Sequence, residues 1–137
     1  MTNLELVKNR LKETNASLVV MYENGKLKEY YNPRVIDIVT ILKKNKSALR
    51  NAVVADKVIG KTAGSLLSFG GVKEIYAETI SKIAIPVLEE HKIKYKYNKL
   101  VEYIKNNDKT GMCPMERMFK DEKDLNKIFS YFANKEN

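Results

Sequence analysis

Ala52-Val53-Val54-Ala55-Asp56-Lys57-Val58-Ile59-Gly60-Lys61-Thr62-Ala63-Gly64-Ser65-Leu66-Leu67-Ser68-Phe69-Gly70-Gly71-Val72-Lys73-Glu74-Ile75-Tyr76-Ala77 is the stretch whose reading decides the fold. Ala52 to Ala55 make a short apolar run rich in branched residues, as a strand covered on both faces requires. Asp56 then offers a carboxylate to cap the first free N–H groups of a helix. Gly70-Gly71 supply the left-handed backbone that ends this helix, and Val72 to Ala77 return as a second strand. The pattern predicts a βαβ unit with parallel strands and a right-handed crossover. Ligands of such sheets sit beyond the carboxyl ends of the strands, where Asp56 and Lys57 fall.

On the N-terminal side, residues 2–14 read as an amphipathic helix with Leu4, Val7 and Leu11 on one face. Ser17 to Glu23 and Lys26 to Tyr31 read as strands joined by Asn24-Gly25, a pair suited to a two-residue hairpin turn. Asn32-Pro33 opens a second helix, asparagine as cap and proline in the first turn. Val35, Ile38, Val39 and Leu42 form its buried stripe, and Lys43, Lys44 and Lys46 lie at its end, where positive charge suits the dipole. On the C-terminal side, Thr79 to Lys92 reads as a helix in which Pro86 forces either a late start near Ile85 or a kink. Ile93 to Tyr97 alternates as a half-exposed edge strand. Residues 98–112 are irregular, 114–120 form a short helix, and Asp121 to Ala133 form the last. This order predicts a three-layer α/β/α domain with a five-stranded mixed sheet and a C-terminal helical tail. One domain spans 1–137, with its core at about 1–117 and the tail at 121–135.

A chain of 137 residues buries roughly two-thirds of its unfolded surface, enough for one core. No apolar run approaches the ~20 residues needed to span a bilayer. The segment Met1-Thr2-Asn3-Leu4-Glu5 has no basic flank ahead of an apolar core, and the single cysteine, Cys113, excludes an internal disulfide. The expectation is a cytoplasmic protein with no membrane partner. The net charge of +8 invites a nucleic-acid reading, but the basic excess is spread over residues 1–100 with no basic run longer than two. Lysines outnumber arginines 21 to four, whereas bidentate phosphate and base contacts favour arginine. A solvated lysine-rich surface accounts for this pattern better than a nucleic-acid footprint.

The order of elements, with Val53-Val54-Ala55-Asp56-Lys57-Val58-Ile59-Gly60-Lys61, Gly70-Gly71-Val72-Lys73-Glu74-Ile75-Tyr76-Ala77-Glu78 and Thr110-Gly111-Met112-Cys113-Pro114-Met115-Glu116, resembles the cytidine deaminase-like fold. The chain looks like a small bacterial family of domains of unknown function built on that fold, over about residues 15–117. Zinc deaminases of the fold carry a His (or Cys) followed two residues later by Glu at the start of the helix after the hairpin. They carry Cys-x-x-Cys at the start of the next helix. The equivalent places are Arg34-Val35-Ile36 and Lys57 to Gly60, and neither motif is present. With one histidine, His91, and one cysteine, the chain cannot supply three His/Cys ligands. The resemblance therefore implies a zinc-independent member with no metal and no cofactor.

Two candidate clusters remain. Asp56, Lys57 and Lys61, with Ser65 one turn further on, surround the expected start of the central helix. Two lysines there concentrate positive potential that an anionic ligand would relieve. The plainer alternative is that Asp56 only caps the helix while the lysines reach solvent or pair with Asp56. Gly60 and Gly64 are expected to let that helix approach the sheet closely. Cys113, before Pro114 and three residues before Glu116, has the pattern of an N-cap thiol facing the positive end of a short helix. It is a candidate nucleophile, with Glu116 or Asp56 moving protons. The alternative is an inert cysteine packed among Met112, Met115 and Met118. Only the resemblance implies that the segment carrying Cys113 returns towards Asp56. The functional expectation is a protein that binds a small anionic or nucleotide-like ligand, with cysteine-dependent chemistry. The alternatives are a non-catalytic ligand-binding or regulatory module, or a weak nucleic-acid binder. Phe129 and Phe132 of the tail are expected to pack either on this domain or on a second subunit in a homo-oligomer.

Overall fold

The computed structural model describes residues 1–135. Six helices and five strands follow in the order α1 (Asn3–Glu13), β1 (Leu18–Met21), β2 (Leu27–Tyr30), α2 (Ile36–Lys44), β3 (Val53–Ile59), α3 (Lys61–Phe69), β4 (Glu74–Ser81), α4 (Ile85–Glu90), β5 (Lys94–Val101), α5 (Pro114–Phe119) and α6 (Leu125–Ala133). The five strands form one mixed sheet in the order β2-β1-β3-β4-β5. β1 runs antiparallel to both β2 and β3, and β3, β4 and β5 are mutually parallel.

The alternation of β3 divides the interior between the two faces of the sheet. Val53 and Ala55 join Val19, Met21 and Tyr76 beneath α1, whose Leu4, Val7 and Leu11 form the apolar stripe read from the sequence. Ala52 and Val54 join the larger core with Ile38 and Leu42 of α2, Leu66 and Leu67 of α3, Leu88 of α4 and Ile128 and Phe129 of α6. Helices thus cover both faces, the three-layer α/β/α arrangement. The Phe129 ring stacks on Phe69 at 4.8 Å between centroids, so this tail aromatic packs on its own domain.

Several boundaries differ from the sequence reading for identifiable reasons. β3 does not stop at Ala55; Asp56 still pairs with Leu18 and Ala77, and the Lys57 N–H donates to the Ser17 carbonyl at 3.1 Å. α2 begins only at Ile36, because Asn32 does not cap it. The Asn32 backbone N–H and side-chain amide instead donate to the two oxygens of Asp37, at 2.9 and 2.8 Å. Thr79 to Ser81 belong to β4, and α4 starts at Ile85 with Pro86 in its first turn, where the missing N–H has no intrahelical partner to lose. β5 continues to Val101 as an exposed edge strand carrying Lys94, Lys96 and Lys99, charges that discourage pairing with another chain. No helix among the described residues is long and apolar enough to cross a membrane.

Candidate functional site

A cleft of about 510 Å³ opens beyond the carboxyl end of β3. Its walls come from Arg34 and Val35 ahead of α2, Val58 and Gly60, the first turn of α3 (Lys61, Thr62, Ala63), the loop 104–108, and Cys113 to Glu116 at the start of α5.

Glu116 holds this arrangement together. The residue is 2% exposed, and its Oε2 accepts from the Lys61 backbone N–H at 2.9 Å and from the Ser81 hydroxyl at 2.6 Å. Its Oε1 accepts from the Ile104 backbone N–H. Ser81 Oγ accepts in turn from the Ala84 N–H at 3.2 Å. One carboxyl group therefore joins α3, the end of β4, the loop after β5 and α5, and it does so at the positive end of α3. The first N–H of α3 is thus satisfied by a carboxyl group of the chain itself. Gly60 is the residue that makes room for it: a Cβ there would lie 2.8 Å from Glu116 Oε2 and 2.9 Å from Ile104 Cγ1. The close approach at Gly60 thus serves Glu116, and Gly64 meets Val87 and Ala84 beside α4, so neither glycine acts mainly by seating the helix on the sheet.

The remaining expected residues are distributed differently from the sequence reading. Asp56 is not a helix cap. It lies in β3 at 5% exposure, on the same face as Val54, accepting from the Val58 N–H at 3.2 Å. Burial pushes its carboxyl up to about 7, with Asp37 adding a smaller upward push and the Val58 and Lys57 N–H groups opposing it. Lys57, expected in the first helical turn, sits exposed in β3. Lys61 does begin α3, but its Nζ reaches the Glu122 and Lys120 carbonyls at 2.7 and 3.2 Å. Burial draws its ammonium below the ordinary lysine value, against the pull of Asp121, Glu122 and Glu90. Ser65 is buried with its hydroxyl unpartnered, away from the cleft wall. Cys113 is half-buried on the cleft wall. It occupies the N-cap position of α5 without a side-chain hydrogen bond to the helix.

The cleft therefore gathers Cys113, Lys61 and Glu116, while Asp56, Lys57 and Ser65 are not among its lining residues. Arg34, Val58, Ile104, Lys105 and Asn107 line it and were missed from the sequence. Arg34 has left-handed backbone at φ 58, sparsely populated for a residue with a Cβ, and no sequence signal after Pro33 announces it. Among the described residues, no three His, Cys, Asp or Glu side chains gather as a metal site.

The family model for TM1506, a domain of unknown function (DUF1893), matches residues 6–135. The chain belongs to this family. A crystal structure of a DUF1893 family protein (TM1506) from Thermotoga maritima superposes with a TM-score of 0.81 at 25% identity, over 96% of this chain and 90% of that one. A diaminohydroxyphosphoribosylaminopyrimidine deaminase/5-amino-6-(5-phosphoribosylamino)uracil reductase from Thermotoga maritima gives a TM-score of 0.45 at 16% identity. That match covers 85% of this chain and 40% of the other, a likeness too distant to carry an activity over. No curated protein matches the chain.

Proposed function

We propose that this protein binds a small anionic, nucleotide-like molecule in the cleft at the end of β3, without zinc. The observation that carries the reading is the composition of that cleft. Its volume of about 510 Å³ falls in the range of small-molecule sites, roughly 300–1,000 Å³. Val35, Val58, Ile104 and Pro114 give it an apolar surface, and Arg34 and Lys105 supply positive charge beside one carboxylate on the 104–108 loop, Asp108, and Glu116, which is engaged by three donors. Arg34 offers the fork suited to a carboxylate or phosphate.

Binding has more support than turnover. Cys113 is the one nucleophilic thiol facing the cleft, but Glu116 already accepts three hydrogen bonds and Asp56 is not part of the cleft wall. Neither carboxyl stands ready to take a proton from the thiol. The non-catalytic, ligand-binding reading is therefore preferred, with Cys113 as a contact.

The test is thermal unfolding with nucleoside monophosphates and their parent nucleosides, on wild type and on Val58→Tyr. Val58 is 46% exposed, so the larger ring should fill the cleft without disturbing the core. A monophosphate present at about 100 times its Kd adds about 2.7 kcal/mol, which raises the wild-type midpoint by roughly 5–10 °C, and Val58→Tyr abolishes the rise. Cys113→Ser keeps it. Identical shifts in wild type and Val58→Tyr would refute the assignment of the cleft, and product formation lost in Cys113→Ser would restore the catalytic reading.

A further inference from the structure

Beside the cleft runs a second groove of about 520 Å³, and the two share Arg34, Val35 and Met115. Ile36, Val39, Thr40, Lys43 and Lys44 recur at helical spacing along one side of α2. Phe132 and Lys135, at the end of α6 and just beyond it, form another part of the wall. Arg34, Lys43, Lys44 and Lys135 give the groove four cationic side chains, and no carboxylate lines it among the described residues. The negative end of the α2 dipole accounts for Lys43 and Lys44 taken alone. The same end effect at α6 accounts for Lys135, whose Nζ lies over the Tyr131 ring at 4.6 Å. Neither accounts for Arg34 at the opposite end of α2, and all four residues line one concavity.

We infer that cleft and groove hold a single small molecule, with its ring portion in the cleft and a multiply charged phosphate portion along α2. This deepens the binding reading above and rests on it. Arg34 stands at the junction, where its guanidinium can take the first phosphate in bidentate fashion. The lysines meet the later charges as point cations. Apolar side chains (Val39, Met115 and Phe132) line the groove as well.

Isothermal titration with adenosine monophosphate, adenosine triphosphate and inorganic tripolyphosphate at low salt tests the inference. The triphosphate is expected to bind at least tenfold more tightly than either of the other two. The exposed pair Lys43→Glu/Lys44→Glu should weaken the triphosphate at least tenfold and leave the monophosphate unchanged. Lys43→Gln/Lys44→Gln provides the same comparison should reversed charge disturb α2. Val58→Tyr should weaken both nucleotides and leave tripolyphosphate unchanged. Equal affinity for mono- and triphosphate would overturn the inference while leaving the cleft reading intact. Triphosphate binding indifferent to Val58→Tyr would overturn both. Binding of none of the three probes, or tighter binding of a single-stranded oligonucleotide through the same lysines, would also overturn it.

Discussion

Three donors converge on the carboxyl group of Glu116, from α3, β4 and the loop after β5. Glu116→Gln would replace one acceptor oxygen with an NH2 that must face a backbone N–H or the Ser81 hydroxyl. Turning the NH2 to the Oε1 side orphans one donor, the Ile104 N–H. A buried donor without an acceptor costs about 1–3 kcal/mol, so the variant is expected to lose about 1–3 kcal/mol in urea unfolding. A loss under about 0.5 kcal/mol would show that Glu116 does not brace the site. Asp56 makes a prediction of opposite kind. The folded protein keeps its proton up to about pH 7, whereas the unfolded chain releases it near 3.9. Between those values the folded state binds more protons, so stability falls as pH rises, by at most about 1.4 kcal/mol per pH unit. The stabilising effect is complete below the unfolded value and gone above about 7. Asp56→Asn should remove this contribution, so the wild-type advantage over the variant should shrink from pH 5 to pH 7. Parallel stability curves would contradict it.

At the scale of elements, the contacts between α3 and the tail explain what the sequence could and could not disclose. The β3-α3-β4 unit was legible because hydrophobic run length, the Gly70-Gly71 stop and the return strand are all local signals. The start of α3 was not. Its terminal N–H is satisfied by Glu116, 55 residues away, so the chain needs no capping side chain beside Lys61, and Asp56 is free to remain in the strand. Likewise, Pro86 allowed two readings, and the pairing of Thr79 and Ile80 with β3 selected the late start of α4. The acid-rich start of the tail predicts a helix from Asp121, but α6 begins at Leu125 with Asp124 as its cap, accepting from the Lys127 N–H. Lys61 then clasps the segment before it through the Lys120 and Glu122 carbonyls. Lys61→Met keeps the stem and removes both bonds, which are worth about 1–3 kcal/mol together. Amide exchange of α6 should accelerate ahead of that of β3 and β4. Uniform acceleration across the chain would mean that the clasp does not act on the tail in particular.

Across the whole molecule, the sheet supplies a rigid floor and the return of residues 102–117 builds the cleft beyond its carboxyl ends. The fold resemblance brings that segment towards Asp56, which does not line the cleft. The residue it meets there, Gly60, is separated from Cys113 by more than 50 residues, and no local pattern links them. Lysine abundance likewise conceals where charge gathers, because the four cations of the α2 groove come from three separate segments of the chain. The most direct test of the central claim, that the cleft is built for a ligand, is native mass spectrometry of the protein purified from cells, beside Val58→Tyr prepared identically. The account predicts a small-molecule adduct on the wild-type chain, released on denaturation and missing from the variant. Wild type carrying no adduct, or both proteins carrying the same one, would contradict it.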